Sequence, residues 1–317
     1  MEVIGLFLRS IIYIACFFIL WYSSGKIVEI IEKIAKKIGF SSFAVSFFIL
    51  GILTSIPEFS VGLNSLLKKT PDIFVGNLIG ASFYLFTLVI PLLAIFGGGV
   101  KMVHELNYKD MIFSLLVVLA PIFLIADNVL TRTEGVFLIL LYGILFYFIE
   151  KKKSLHMSFR DLSVRRVGHF LEIVFELLVH LAIIFVASNF IVNQTIEYAK
   201  ILNFPIFVVS IIILALGTNL PELSLAIRSI FMGKKEVALG DYLGSAAANT
   251  LIFGILALLN GSRIHIENYS LKTLIVNLFG LGVFYIFSQS KKEISKKEGQ
   301  ILLLIAFLFV LIEVLFN

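Results

Sequence analysis

The stretch ALGTNLPE, Ala215 to Glu222, lies inside an apolar run that extends from Phe204 to Ile230. That run is long enough to cross a bilayer, which takes about 20 apolar residues. A carboxylate in mid-span costs about 2.5–3.5 kcal/mol or more unless a partner compensates, so Glu222 marks a functional site by default. Pro221 lacks the N–H that would bond the carbonyl of Gly217, and its ring crowds that turn, so the helix is expected to break beside the carboxylate. Together with the Thr218 hydroxyl, the Asn219 amide and freed carbonyls, Glu222 offers the oxygens that hard cations take.

Working outward, the same pattern occurs earlier as GILTSIPE, Gly51 to Glu58. A single offset, the difference between positions 222 and 58, also relates Thr54 to Thr218, Pro57 to Pro221, Gly76 to Gly240 and Gly80 to Gly244. Upstream it relates Ala35 to Ala199, Lys36 to Lys200, Phe40 to Phe204, Val45 to Val209 and Ser46 to Ser210. The chain is therefore duplicated. Hydropathy marks about ten spans, at 4–22, 41–67, 72–97, 110–128, 134–149, 170–192, 204–231, 236–259, 270–288 and 299–316. Each half carries five, an odd number, so the second half must enter the membrane in the opposite sense. The fold class is thus all-α, a polytopic membrane protein with two inverted-topology five-helix repeats, an architecture belonging mainly to transporters. The halves are bounded as 1–150 and 170–317, with a basic linker at 151–169. Pro91 and Pro121 are expected to kink the third and fourth spans.

Bulk properties agree. Hydrophobic residues make up 59% of 317 and charged residues only 15%, with a mean hydropathy of +1.03, which excludes an ordinary soluble domain. The apolar stretches lack the period-two alternation of a barrel. A lone Cys16 excludes an intramolecular disulfide framework and a cysteine-rich metal site. The first span lacks a basic leader and a small-residue cleavage site, so it reads as retained rather than as a signal peptide. The net charge of +5 is a matter of topology rather than of nucleic-acid binding. Lys and Arg number 18 in the loops after spans one, three, five, seven and nine against 6 in the others, which predicts both termini outside and the 150–169 loop cytoplasmic, in a cell (plasma) membrane.

About eighteen residues after each Pro-Glu comes a glycine-marked element, VGNLIGASFYL (Val75 to Leu85) and LGDYLGSAAAN (Leu239 to Asn249). The doubled Thr-x-x-Pro-Glu with the doubled Gly-x-x-x-Gly resembles the two alpha-repeats of the cation/calcium antiporter superfamily, sodium/calcium exchanger branch. That resemblance implies exchange of Ca²⁺ for Na⁺ or H⁺ through one alternating-access site, with no enzymatic step, no cofactor and no obligate protein partner. The transported Ca²⁺ and Na⁺ are the expected ligands. It implicates Glu58, Thr54 and Ser55 on span two, Glu222, Thr218 and Asn219 on span seven, Ser245 and Asn249 on span eight, and the carbonyls of Gly51 and Ala215. Asn219 stands where the family usually has Ser. It also implies that spans one and six move against the rest.

Span three departs from the pattern. Where span eight has Ser245 and Asn249, the offset lands on Ala81 and Leu85, and Ser82 and Tyr84 project about 100° away on an ideal helix. Since Ca²⁺ takes 6–8 oxygens, this depletion opens an alternative, a monovalent-cation/H⁺ antiporter. Other classes fit less well. An intramembrane hydrolase would need Gly-x-Gly-Asp, but Ala238 replaces the first glycine of Leu239-Gly240-Asp241, and no second mid-span Asp or HExxH is present. A non-transporting scaffold has only Ala81 and Leu85 in its favour.

The remaining polar features have ordinary readings. Gly80 and Gly244 read as close helix packing. Asp241, the counterpart of Asn77, reads either as a carboxylate on the cation's access route or as a first-turn residue favoured by the helix dipole. Glu172, Glu176 and His180 line one face of span six, where solvation and pairing with Arg165 or Arg166 suffice. Asp127 and Glu313 fall near span ends, where solvated placement is expected.

Overall fold

A computed structural model describes residues 2–38, 51–101, 108–153, 167–232, 235–267, 269–290 and 293–315. Among these, nine helices are long and apolar enough to cross a membrane: Leu6–Ile27, Asp72–Gly97, Lys109–Asp127, Arg132–Ile149, Ile173–Leu202, Ile206–Ile227, Gly240–Asn260, Leu271–Gln289 and Lys296–Leu315. Span two is described only from Gly51. Its first ten residues, the repeat partners Phe40, Val45 and Ser46, and the basic loop with Arg160, Arg165 and Arg166 lie outside the described residues.

Two spans run further than hydropathy suggests. The first helix continues from Glu2 to Ile38 and the sixth from Val167 to Leu202. Tertiary pairing accounts for the polar end of the sixth. Tyr13 and Thr195 share a hydrogen bond of 2.9 Å, as do Ser10 and Tyr198, and Arg9 pairs with Glu197. Polar residues that end a hydropathy window are here the contacts between two helices.

The two prolines sit in different surroundings. Span three opens into a π-helical turn at Leu85–Val89, one turn before Pro91. Pro121 lies inside the helix Tyr108–Leu124 and cannot bond the carbonyl of Val117, which instead accepts from the Thr250 hydroxyl of span eight at 3.0 Å.

Two short antiparallel ladders tie the loops. Val100–Lys101 pairs with Glu293–Ile294, and Val129–Leu130 pairs with Ile264–His265. The repeat offset carries Val100 onto Ile264 and Val129 onto Glu293, so the ladders are images of each other. One joins the loops after spans three and nine, the other the loops after spans four and eight. Because those loop pairs lie on opposite faces, the internal symmetry inverts the membrane.

Burial differs widely among the spans. Spans three and eight are 83% and 78% buried, whereas spans one and six are 28% and 17% buried. The latter pair shares its own apolar cluster, with Tyr13, Phe17, Leu20, Ile184, Ala187 and Ile191. That cluster also takes in Val61 of span two, Ile73 of span three and Leu214 of span seven, and the larger cluster gathers around spans three and eight.

Candidate functional site

Both Pro-Glu stretches break their helices. In span two, Gly51–Thr54 ends at Ser55 and a new helix starts at Ile56–Leu67; in span seven, Ala215–Thr218 ends at Asn219 and Leu220–Met232 follows. Each proline occupies the start of the new helix, where its missing N–H costs nothing. Glu58 and Glu222 thereby fall in the first turns of helices whose N-terminal dipole favours negative charge. The segments before them end toward the same place, and helix C-terminal ends favour cations. The breaks thus prepare both partners of a carboxylate–cation contact.

The two halves are stitched together there. Ser245 donates to Glu222 Oε1 at 2.9 Å, and its Oγ lies 3.0 Å from that of Ser55. Each serine has one proton and a second acceptor in reach, Glu222 Oε1 for Ser245 and the Gly51 carbonyl for Ser55, and the contact between their hydroxyls links the first half's break to the second half's carboxylate. The threonines cross over: the Thr218 hydroxyl lies beside Glu58 and the Thr54 hydroxyl beside Glu222. Thr218 Oγ1 is also 3.2 Å from Asn77 Oδ1. Asn219 donates to the carbonyls of Ala215 at 2.9 Å and Ala81 at 3.2 Å, while the carbonyl of Gly51 accepts from Ser55 at 2.9 Å.

What remains unmet is informative. Glu58 Oε2, Glu222 Oε2 and Asn219 Oδ1 are buried acceptors without a hydrogen-bond partner, and Glu58, Glu222 and Asn219 are each at most 1% exposed. Buried acceptors in native proteins are nearly always satisfied, and oxygens of this kind are the ones a hard cation can take as ligands. The arrangement therefore brings Glu58, Glu222, Thr54, Thr218, Ser55, Asn219 and Ser245 together, beside the carbonyls of Gly51 and Ala215.

Asn249 stands apart from that group. Its amide donates to Ser82 Oγ at 3.1 Å, and the two flank a cavity of about 10 Å³ beside Val118 and Pro121, room for about one water. The ideal-helix reading set Ser82 aside, yet Asn249 reaches it across the span three–span eight contact. Tyr84 instead faces span ten, its ring 6.1 Å from that of Phe309. Ala81, which has no polar side chain, contributes its carbonyl to Asn219.

Gly80 is a packing glycine, since a Cβ there would meet the Ile211 carbonyl and, at 2.7 Å, the Cβ of Ala215; Gly244 is the surface on which Gly51 rests. Glu176 is exposed and His180 half-buried, its ring against Tyr22 at 6.1 Å, in keeping with a solvated face. Asp127 is exposed and caps Val129. Glu313 overturns the expectation of solvated placement: it is fully buried and accepts from Thr273 at 2.7 Å. Span nine covers it, which no reading of span ten alone shows. Asp241 is also fully buried, and as the helix starts at Lys235 it lies beyond the first turn. Asn77 and Tyr242, whose hydroxyl donates to the Glu222 carbonyl at 3.3 Å, escaped the sequence reading as site residues. The offset joining Asn77 to Asp241 was the available signal.

Comparison with known proteins agrees with this geometry. The profile of the sodium/calcium exchanger protein family matches residues 9–150 and 173–315. The chain is 24% identical to sodium/calcium exchanger MaX1 of Methanosarcina acetivorans, over 91% of this chain and 94% of that protein. It is also 24% identical to inner membrane protein YrbG of Escherichia coli, over 82% and 84% respectively. Among solved structures, the sodium-calcium exchanger NCX_Mj soaked with 2.5 mM Na⁺ and 1 mM Sr²⁺ shares the fold with a TM-score of 0.69 at 22% identity, over 96% of this chain and 98% of that one. With the doubled break, the inverted ladders and a family match spanning both halves, the chain belongs to the sodium/calcium exchanger protein family.

Proposed function

We propose that this integral multi-pass membrane protein is a secondary active cation antiporter that exchanges Ca²⁺ for Na⁺, or for H⁺, by alternating access at a midplane site built on Glu58 and Glu222. The observation that carries this reading is the reciprocal pair itself, two buried carboxylates at facing helix breaks, each retaining an unpartnered oxygen. Two charges neutralise one divalent ion. Competing ions would need the same oxygens, so exchange follows from mutual exclusion at one site rather than from separate pathways. Spans one and six suit the moving role because they pack mainly on each other. The Phe17 ring lies directly over Gly217 in the break of span seven, so displacement of span one would uncover it.

The ligands proposed with the glutamates are Thr54, Ser55, Thr218, Asn219, Ser245 and Asn249, with the carbonyls of Gly51 and Ala215. Transport requires no resident cofactor and no enzymatic step. The excess of basic residues in alternate loops supports termini outside in a cell membrane, and the halves at 1–150 and 170–317 are proposed as the repeat units.

In proteoliposomes with a Na⁺ gradient, the purified protein is expected to accumulate radiolabelled Ca²⁺, and uptake should collapse when the gradient is dissipated. Gradient-independent uptake would refute exchange. The apolar Ala81 and Leu85 favour a second reading, monovalent-cation/H⁺ exchange, in which a panel of ions would show competition by monovalent but not divalent species. Because Leu85 is fully buried where span eight has Asn249, Leu85→Asn is expected to shift relative affinity for divalent over monovalent ions about tenfold in the same competition assay, about 1.4 kcal/mol. An unchanged ratio would remove Leu85 as the missing ligand.

A further inference from the structure

We propose that Asn219 and Ala81 form one exchanged unit, in which an amide on span seven replaces the serine pair of the other half, and that this unit sustains the preference of the site for Ca²⁺ over Na⁺. This inference rests on the antiporter reading above and deepens it.

The repeat offset carries Ser55 onto Asn219 and Ala81 onto Ser245. The crossings that hold these residues match as well. A Cβ on Gly51 would sit 2.5 Å from the carbonyl carbon of Gly244, and a Cβ on Gly80 would sit 2.7 Å from the Cβ of Ala215. By the same offset Gly80 corresponds to Gly244 and Gly51 to Ala215. Span eight therefore meets the break of span two as span three meets the break of span seven. At the first crossing the hydroxyls of Ser55 and Ser245 touch at 3.0 Å, and Ser245 donates to Glu222. At the second, Ala81 offers no side-chain oxygen. Asn219, whose terminal atoms lie one bond beyond a serine hydroxyl, reaches the Ala81 carbonyl instead, at 3.2 Å.

That reach fixes the amide. Its nitrogen donates to two carbonyls, those of Ala81 and, at 2.9 Å, Ala215. Both are acceptors only, so the amide cannot turn over without setting oxygen against oxygen. Asn219 Oδ1 is thereby held on the side away from both carbonyls, buried and without a hydrogen-bond partner. A serine hydroxyl at this place would carry a proton of its own; an amide oxygen only accepts. Ca²⁺ takes amide oxygens alongside carboxylates, and an ion of double charge gains more than Na⁺ from an oxygen fixed in place. The exchange thus returns, on span seven, an oxygen that span three lacks at Ala81. Ala81 also makes no donation to Glu58 to match that of Ser245 to Glu222, which leaves more of that carboxylate to the cation.

The test is a double-mutant cycle on the full chain, reading the ratio of Ca²⁺ to Na⁺ affinity by equilibrium titration beside Na⁺-driven Ca²⁺ uptake in proteoliposomes. Asn219→Ser gives up the reach to span three, and Ala81→Ser crowds the held amide. Each single change is expected to lower the ratio about tenfold, and the two together, which rebuild the serine pair of the other half, to return it to within about threefold of wild type. A role in packing alone would lower the melting temperature without moving the ratio. Singles that leave the ratio unchanged, or that multiply to a loss of about 100-fold in the double variant, would overturn the exchanged unit while wild-type exchange keeps the antiporter reading in place. Should a single variant not fold, the double decides: a folded double with a ratio near wild type upholds the unit, and one that fails to fold or loses the ratio overturns it. If the wild-type protein binds and exchanges neither ion, the antiporter reading fails and this inference with it.

Discussion

Glu58→Gln and Glu222→Gln are each expected to abolish Na⁺-driven Ca²⁺ uptake and to weaken equilibrium Ca²⁺ binding at least about 100-fold. The substitution preserves shape and removes one of the two charges that neutralise a divalent ion. Losing one member of a buried charge pairing costs about 3–5 kcal/mol, and each 1.4 kcal/mol is tenfold. The variants should differ in detail. Glu222 Oε1 already accepts from Ser245, and a Gln there can keep that bond through its amide oxygen. Its amide nitrogen, however, would stand where an acceptor is needed. Isothermal titration with Ca²⁺ on purified protein, beside flux in proteoliposomes, checks both. Robust exchange in both variants would remove the site.

Gly51→Ala carries the second large effect, and it acts through packing. The added Cβ would sit 2.5 Å from the carbonyl carbon of Gly244 and 2.7 Å from the nitrogen of Ser245. Those atoms are backbone and cannot rotate away, so span two must separate from span eight. Separation would stretch the Ser55–Ser245 contact of 3.0 Å, through which the first half's break reaches Glu222. Overpacking of this kind costs about 1–3 kcal/mol, and the expected result is a lower melting temperature together with at least about tenfold weaker Ca²⁺ binding. Gly143→Ala is the control, since a Cβ there meets nothing within 4 Å and alanine favours a helix. Gly51→Ala protein that melts and binds like wild type would show that the crossing has slack.

Much of this arrangement was legible in the chain itself. Span placement follows from summed hydropathy, a property of each segment alone, and the third span matched at 72–97. The doubled Pro-Glu announced two broken helices because proline's missing N–H acts within its own turn. Side-chain direction was less legible. Ser82 seemed to point away from Asn249 on an ideal helix, but Asn249 bonds it across a helix crossing. Glu313 looked solvated from its place in span ten and is covered by span nine. The long sixth helix is stabilised by partners on the first.

The sequence alone determined that the chain is a membrane-spanning inverted duplication with one carboxylate at each of two equivalent breaks. Hydropathy, proline chemistry and a constant offset are all properties carried along the chain, so they survive without coordinates. Only the tertiary structure decided that ALGTNLPE and GILTSIPE exchange their hydroxyls, Thr54 beside Glu222 and Thr218 beside Glu58, and that Asp241 is buried one turn from Ser245. Those relations depend on how helices far apart in sequence cross, and no local pattern records a crossing.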